Sequence, residues 1–319
     1  MDLRMLPKAN LHLHLTGAMR PSTLAELASR YGLTVPPPLP PGPHPWEAFQ
    51  SRYDAARAAI RTPEDLRRVV REAIVDARGD GCVWTEIQVD PTSYAPLLGG
   101  FEAVVEAALD AMRGEPCGLI VASSWARSGR HALELAELAV RFGAVGFGLS
   151  NDERRGQVAD FVAAAETAKD LLVVPHGGFY LGAWHVRECV ELLGANRLGH
   201  ALTAMRDPAT LELLASRNVA VEVCPASYPP LGAAEYEDLP LGELLDAGIR
   251  VALASDDPLV FGADVTDQYE IARAHMGLDV RRLAEIARGS ITASAAPEDL
   301  RTRTLAEISA WETAAVQSR

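Results

Sequence analysis

LLVVPHGGFYLGAWHVRECVELL, residues 171–193, contains the unit from which the fold is read. Leu171–Pro175 is a short, β-branched apolar run of the kind that forms a strand buried on both faces. His176-Gly177-Gly178 interrupts it, and Ala183–Leu193 then spaces its apolar residues with a helical period. The same alternation recurs in both directions along the chain. Strands are predicted at Asn10–Leu15, Cys82–Val89, Gly118–Ser123, Val145–Leu149, Arg197–Gly199, Val219–Cys224 and Arg250–Ala254. Between them lie helical patterns such as His131–Phe142, Gln157–Ala168, Pro208–Arg217 and Leu241–Ala247. Repeated strand–helix units imply right-handed crossovers and a parallel sheet. With Leu171–Pro175 the strand set closes as an α/β fold, a (β/α)8 TIM barrel, and residues 1–319 read as one such domain.

One connection is far longer than the rest. Residues 16–80 are expected to hold helices at Pro21–Tyr31, Trp46–Ile60 and Pro63–Arg78, interrupted by a proline-rich joint, Val35–Pro45, that cannot be helical. An insertion after a strand stands on the barrel's C-terminal face, where it can wall or cover an active site. The chain beyond Asp279 reads as helical and is expected to pack outside the barrel.

Composition narrows the function. Net charge is −13, from 43 acids against 30 bases, which argues against a nucleic-acid or anionic-membrane partner. Arginines do gather between Arg52 and Arg78, but Asp54, Glu64, Asp65, Glu72 and Asp76 are interleaved, so solvated helix faces are expected there. No apolar run approaches the roughly 20 residues of a membrane span, and the N-terminal stretch has no signal-peptide core. Cys82, Cys117, Cys189 and Cys224 form no CxxC pair and read as reduced, buried thiols, so a cytoplasmic protein is expected.

Chemistry in a barrel enzyme gathers where strands end. The first strand ends in His12-Leu13-His14, the fifth in His176, the sixth in His200 and the last in Asp256-Asp257. Residues two apart on a strand share a face, so His12 and His14 can point inward together. Imidazole nitrogens with a carboxylate oxygen suit zinc or a related transition metal. Singly, each has a plainer reading: paired core histidines, an Asp-Asp-Pro turn, a strand exit at His176-Gly177-Gly178. Four strand ends supplying the right residue types together favour a metal site. His44, His131, His185 and His275 fall on loops or helices and read as surface residues.

At these positions the chain resembles the adenosine deaminase family of the amidohydrolase superfamily. The matching stretches are PKANLHLHLTGAMRP, HGGF at His176, RLGHAL at His200, VEVCPAS at Cys224 and LASDDPLVFG at Asp256. The resemblance implies that His12, His14, His176 and Asp256 hold one Zn2+ per chain. It implies that His200 orients and deprotonates the attacking water while Asp256 shares its proton. Asp257 would then hydrogen-bond a ring nitrogen of a small heterocyclic substrate.

Three positions depart from the family pattern. The family's His-Ala-Gly-Glu becomes His176-Gly177-Gly178-Phe179, so a phenyl ring stands where a glutamic acid protonates the purine ring. Losing a positioned general acid costs about 10²–10⁴-fold in rate. Thr16 occupies the place of an aspartate that reaches the sugar 5′-hydroxyl, and Asn151 that of a glycine against which the purine lies. The metal and water machinery is thus kept while Thr16, Asn151, Gly178 and Phe179, with Asp257, form an altered substrate wall. Tyr180, one position on, is the candidate substitute acid. The resulting expectation is a zinc-dependent deaminase or related C–N hydrolase of a small heterocycle, a modified purine or nucleoside-like compound other than adenosine. Two alternatives stand beside it: hydrolysis of a cyclic amide, imine or ester, and a catalytically silent ligand-binding barrel.

Overall fold

A computed structural model describes residues 2–40 and 42–317; within the joint Val35–Pro45, Pro41 lies outside the described residues. Eight parallel strands follow one another in chain order. They are β1 (Lys8–His14), β2 (Cys82–Val89), β3 (Cys117–Ser124), β4 (Gly146–Ser150), β5 (Leu172–Gly177), β6 (Arg197–His200), β7 (Ala220–Val223) and β8 (Val251–Leu253). A bridge between Leu13 and Asp256 closes the seam. There the Asp256 N–H donates to the His12 carbonyl at 2.9 Å, and the His14 N–H donates to the Asp256 carbonyl at 3.1 Å. The ring is a TIM barrel, and closing it pulls Asp256 between the two histidines of β1.

Strand alternation sorts the side chains into two columns. Leu11 and Leu13 of β1, Ile87 and Val89 of β2, and Leu119 and Val121 of β3 belong to the apolar core. The alternate positions, His12, His14, Glu86 and Gln88, are polar and equally hidden from solvent or nearly so. A polar inner column of this kind is affordable only if its groups find partners, so it marks where function sits.

Strand boundaries shift by a few residues from the sequence expectation. Strand β1 starts at Lys8 because the ammonium folds back onto the carbonyls of Leu3 and Leu6, at 3.0 and 3.3 Å, and is fully buried. The pattern over Gln157–Ala168 divides into a 3-10 turn, Val158–Phe161, and a short α-helix, Val162–Thr167.

The long connection forms α1 (Pro21–Tyr31), α2 (Trp46–Ala59) and α3 (Pro63–Gly79). Helix α3 opens on a capping box: Thr62 accepts from the Asp65 N–H at 3.1 Å, and Asp65 accepts from the Thr62 N–H at 3.0 Å. Helix α2 lies across the barrel mouth, where Phe49 stacks on Phe261 with ring centroids 5.6 Å apart. The arginines of this region are not uniformly solvated. Arg67 and Arg68 do pair with Asp110 and Glu72. Arg52, however, is buried and donates to the Pro36 carbonyl at 2.6 Å, because the proline-rich joint folds over α2. Arg57 faces the central cavity.

His185 also corrects the expectation of a surface residue. It is 1% exposed, on the inner face of the helix Ala183–Leu193, where its Nδ1 accepts from the Gly178 N–H at 3.4 Å. His275 is exposed, while His44 and His131 are half-buried. Cys82, Cys189 and Cys224 are buried free thiols, and Cys117 is partly exposed. Among the described residues no helix is long and apolar enough to cross a membrane.

Candidate active site

Three imidazoles and one carboxylate converge at the C-terminal mouth. The coordinating atoms of His12, His14 and His176 all lie within 4.8 Å of one another. Nε2 of His12 and Nε2 of His14 each stand 3.5 Å from Oδ1 of Asp256. Ligand atoms bound tetrahedrally to zinc at about 2.0–2.1 Å are separated by about 3.4 Å, so this pair of spacings suits such an ion. Nε2 of His12 and Nε2 of His176 are buried without a hydrogen-bond partner. Each such orphan costs about 1–3 kcal/mol, which a cation at the centre would remove. The donor set, the spacing and the orphaned nitrogens therefore fit a metal ion.

Electrostatics point the same way. Burial disfavours charge on His12, but the Asp256 and Glu222 carboxylates on either side of the ring outweigh it and favour positive charge there. His14 is pushed down to about 4 by burial and then by His12; His176 falls for the same two reasons. Asp256 is held below the usual carboxylate range: burial opposes this, and the His12 ring 3.5 Å away outweighs it. The cluster thus draws positive charge to its centre.

Gly199 is what lets the imidazoles close. A Cβ there would stand 2.8 Å from Cε1 of His12 and 3.0 Å from Cδ2 of His176. The following residue, His200, has φ 70°, and Asp256 has φ 59°. Left-handed backbone costs a non-glycine residue about 1–2 kcal/mol, and such strain concentrates at functional sites.

Beneath the cluster runs a network that the sequence reading missed. Nδ1 of His12 lies 2.8 Å from Oε2 of Glu222, which orients the ring and leaves Nε2 for the centre. Oε1 of Glu222 accepts from Nε of Arg197 at 2.5 Å, and Arg197 also donates to Glu86. Glu86 further accepts from Nε1 of Trp84 at 3.0 Å and from the Ala295 N–H at 2.7 Å. Two buried carboxylates thus share one buried guanidinium. The available signal was an acid inside each of two apolar strands, in CVWTEIQV and VEVCPAS.

A cavity of about 90 Å³ lies above the cluster, walled by the strand ends and by Trp46, Phe49 and Tyr53 of α2. The His200 ring is 4.8 Å from that of His12 and 5.1 Å from that of His176. Its Nδ1 faces the Tyr228 hydroxyl at 3.4 Å, and that hydroxyl accepts from the Cys224 N–H at 2.9 Å. Burial, then His12, lowers the His200 pKa to about 3, so the ring is neutral. Phe179 lies on the wall, edge-on to His200 with centroids 4.9 Å apart. Asp257 is also on the wall, with Oδ1 buried and unpaired. Burial and the adjacent Asp256 carboxylate push its pKa well above the usual range.

The remaining expected wall residues divide. Asn151 lines the cavity with φ 73°, and its Oδ1 turns back to accept from the Asp152 N–H at 2.8 Å. Thr16 lies behind the wall, fully buried, its hydroxyl 2.5 Å from that of Tyr94, and Tyr94 takes the place on the surface. Gly178 is also behind it: at φ 70° its Cβ would meet Cγ2 of Val186 at 2.4 Å, so it serves the backbone turn. Tyr180 is on the wall with the Arg154 guanidinium 4.2 Å over its ring.

The sequence pattern described as adenosine deaminase matches residues 7–311. The chain belongs to that family. It is accordingly a metal-dependent amidohydrolase, acting on C–N bonds. A protein of Streptomyces virginiae named "Putative adenosine/adenine deaminase" is 49% identical over 333 residues, covering 98% of each chain. The crystal structure of adenine deaminase from Arthrobacter aurescens superposes with a TM-score of 0.87 at 28% identity, over 96% of this deaminase-family chain and 98% of that one. An amidohydrolase of Burkholderia ambifaria solved with bound Zn has a TM-score of 0.86 at 22% identity, over 99% and 93%.

Proposed function

We propose that this chain is a zinc-dependent hydrolytic deaminase of a small, purine-like amino-heterocycle other than adenosine. It would hold one zinc per chain on His12, His14, His176 and Asp256. The observation that carries the reading is Phe179 on the cavity wall, edge-on to His200, above a complete set of candidate ligands. The ligand set favours hydrolysis; the phenyl ring in place of the family's general acid favours a changed substrate.

Zinc held there supplies water of lowered pKa, from 15.7 in bulk towards about 7. His200 keeps Nδ1 on the Tyr228 hydroxyl, so its Nε2 would orient the attacking water and stabilise the developing charge. Asp256 offers its second carboxylate oxygen to that water's proton. Asp257 donates a hydrogen bond to a ring nitrogen and orients the heterocycle. Phe179 packs against the ring and excludes bulk water; the water oxygen would replace the amino nitrogen on the ring carbon, and the proton the water gives up would leave with the amino group as ammonia.

The test is ammonia release by the zinc-loaded protein across a panel of amino-heterocycles including adenosine. Turnover of a base with negligible adenosine turnover is expected. A kcat/KM for adenosine above ~10⁴ M⁻¹s⁻¹ would overturn the reading.

A further inference from the structure

Gln88 stands near the end of β2, paired in register with His14, and lines the cavity. It is 2% exposed, and neither Nε2 nor Oε1 has a hydrogen-bond partner. Two residues earlier on the same strand face, Glu86 has partners on both oxygens, from Trp84, Ala295 and Arg197. The inner column is therefore satisfied at the level of Glu86 and open at the level of Gln88. A buried amide with both groups unpaired loses about 1–3 kcal/mol for each, so the open pair sits where a ligand completes it.

The chemistry of the amide specifies the complement. A primary amide presents one donor beside one acceptor, and it is satisfied at once by a ring edge carrying an acceptor beside an N–H. On an aminopurine three edges are available. The amino-bearing carbon must face the metal ligands, and the five-membered-ring nitrogen beside it faces Asp257. The edge left over pairs the six-membered-ring acceptor N3 with N9. In the free base N9 can carry hydrogen; in a nucleoside it carries the sugar and has no N–H.

We propose that Gln88 is a specificity-determining residue that reads this N3/N9–H edge and so selects a free heterocyclic base over its nucleoside. Nε2 donates to N3, and Oε1 accepts from N9–H. The orientation of the ring rests on the deaminase reading given above. A nucleoside would leave Oε1 unpaired and press its sugar against the amide.

Equilibrium binding of hypoxanthine and 9-methylhypoxanthine to the zinc-loaded protein tests this. Both are oxo products that deamination cannot consume, and they differ by the N–H at N9. The wild-type protein should bind hypoxanthine at least about tenfold more tightly, the effect of one buried hydrogen bond. Gln88→Met, of similar length and without polar groups, should bind the two alike. Gln88→Leu serves as a second variant, with zinc content and circular dichroism confirming the fold of each. Equal affinities in the wild type, failure of both compounds to bind, or persisting discrimination in the folded variants would overturn the assignment. Ammonia release is read separately. Discrimination without ammonia release from any base retains the Gln88 assignment and sinks the deaminase reading, and ammonia release without discrimination does the reverse.

Discussion

Oε2 of Glu222 lies 2.8 Å from Nδ1 of His12, and this contact decides which ring nitrogen faces the candidate metal centre. With Nδ1–H donated to the carboxylate, Nε2 carries the lone pair that a cation needs. Arg197 fixes the carboxylate in turn, at 2.5 Å. The barrel interior thus sets the tautomer of a candidate ligand at its mouth.

Glu222→Gln is therefore expected to weaken zinc binding by about 10–100-fold while the fold persists, since the amide oxygen can still accept from Nδ1 but brings no charge. Zinc retention against a competing chelator measures this. An affinity equal to the wild type's would show that Glu222 does not tune the site.

Arg197 carries more weight for the fold than for the chemistry. It is 1% exposed and donates to Glu86 and Glu222, both fully buried. Arg197→Met leaves two buried carboxylates without their common partner, and breaking such a network costs about 3–5 kcal/mol. Urea unfolding should show the midpoint falling with little change in slope. A loss below about 1 kcal/mol would mean that water or another group takes the guanidinium's place.

How much of this was legible in the residues follows from how local each signal is. Strand–helix alternation is a local pattern, and it carried all eight strands, including the short β6. His12 and His14 share a face by strand periodicity alone, so their convergence could be anticipated. The Glu86–Arg197–Glu222 network could not be assembled that way, because its members lie on β2, β6 and β7 and meet only when the barrel closes. His185 was misread because a helical histidine gives no sign of which helix face it occupies. Thr16 and Gly178 were placed by motif, and the structure sets them one layer behind the cavity surface.

Gly199→Ala tests the packing of the ligand cluster without touching a ligand. The added methyl would intrude to 2.8 and 3.0 Å on two imidazoles, distances at which something must shift. His12 is held by Glu222, and the Trp125 indole N–H donates to the His176 carbonyl at 3.1 Å, so neither has an easy retreat. The variant should fold, lose most of its zinc and lose activity with it. Zinc analysis of the purified protein decides the matter; full occupancy with wild-type turnover would mean that the cluster adjusts more freely than its contacts suggest.

Phe179→Glu tests the proposal that the lack of a general acid at this position limits deamination of an unmodified purine base. The phenyl ring lies 4.9 Å from the His200 ring centroid and 4.7 Å from that of Tyr180. A carboxyl group in its place would enter an apolar corner, where desolvation raises its pKa and keeps it protonated near neutrality. Such a group can donate to the ring nitrogen beside the carbon under attack, as a positioned general acid does for about 10²–10⁴-fold in rate. Turnover of adenine by Phe179→Glu should therefore rise at least about tenfold over the wild type, the low end allowing for imperfect placement. Steady-state ammonia release at matched zinc content gives the comparison. A folded, zinc-loaded variant with no gain would show that the wild-type site already protonates its substrate by another route, and Tyr180, on the same wall, would then be the residue to change next.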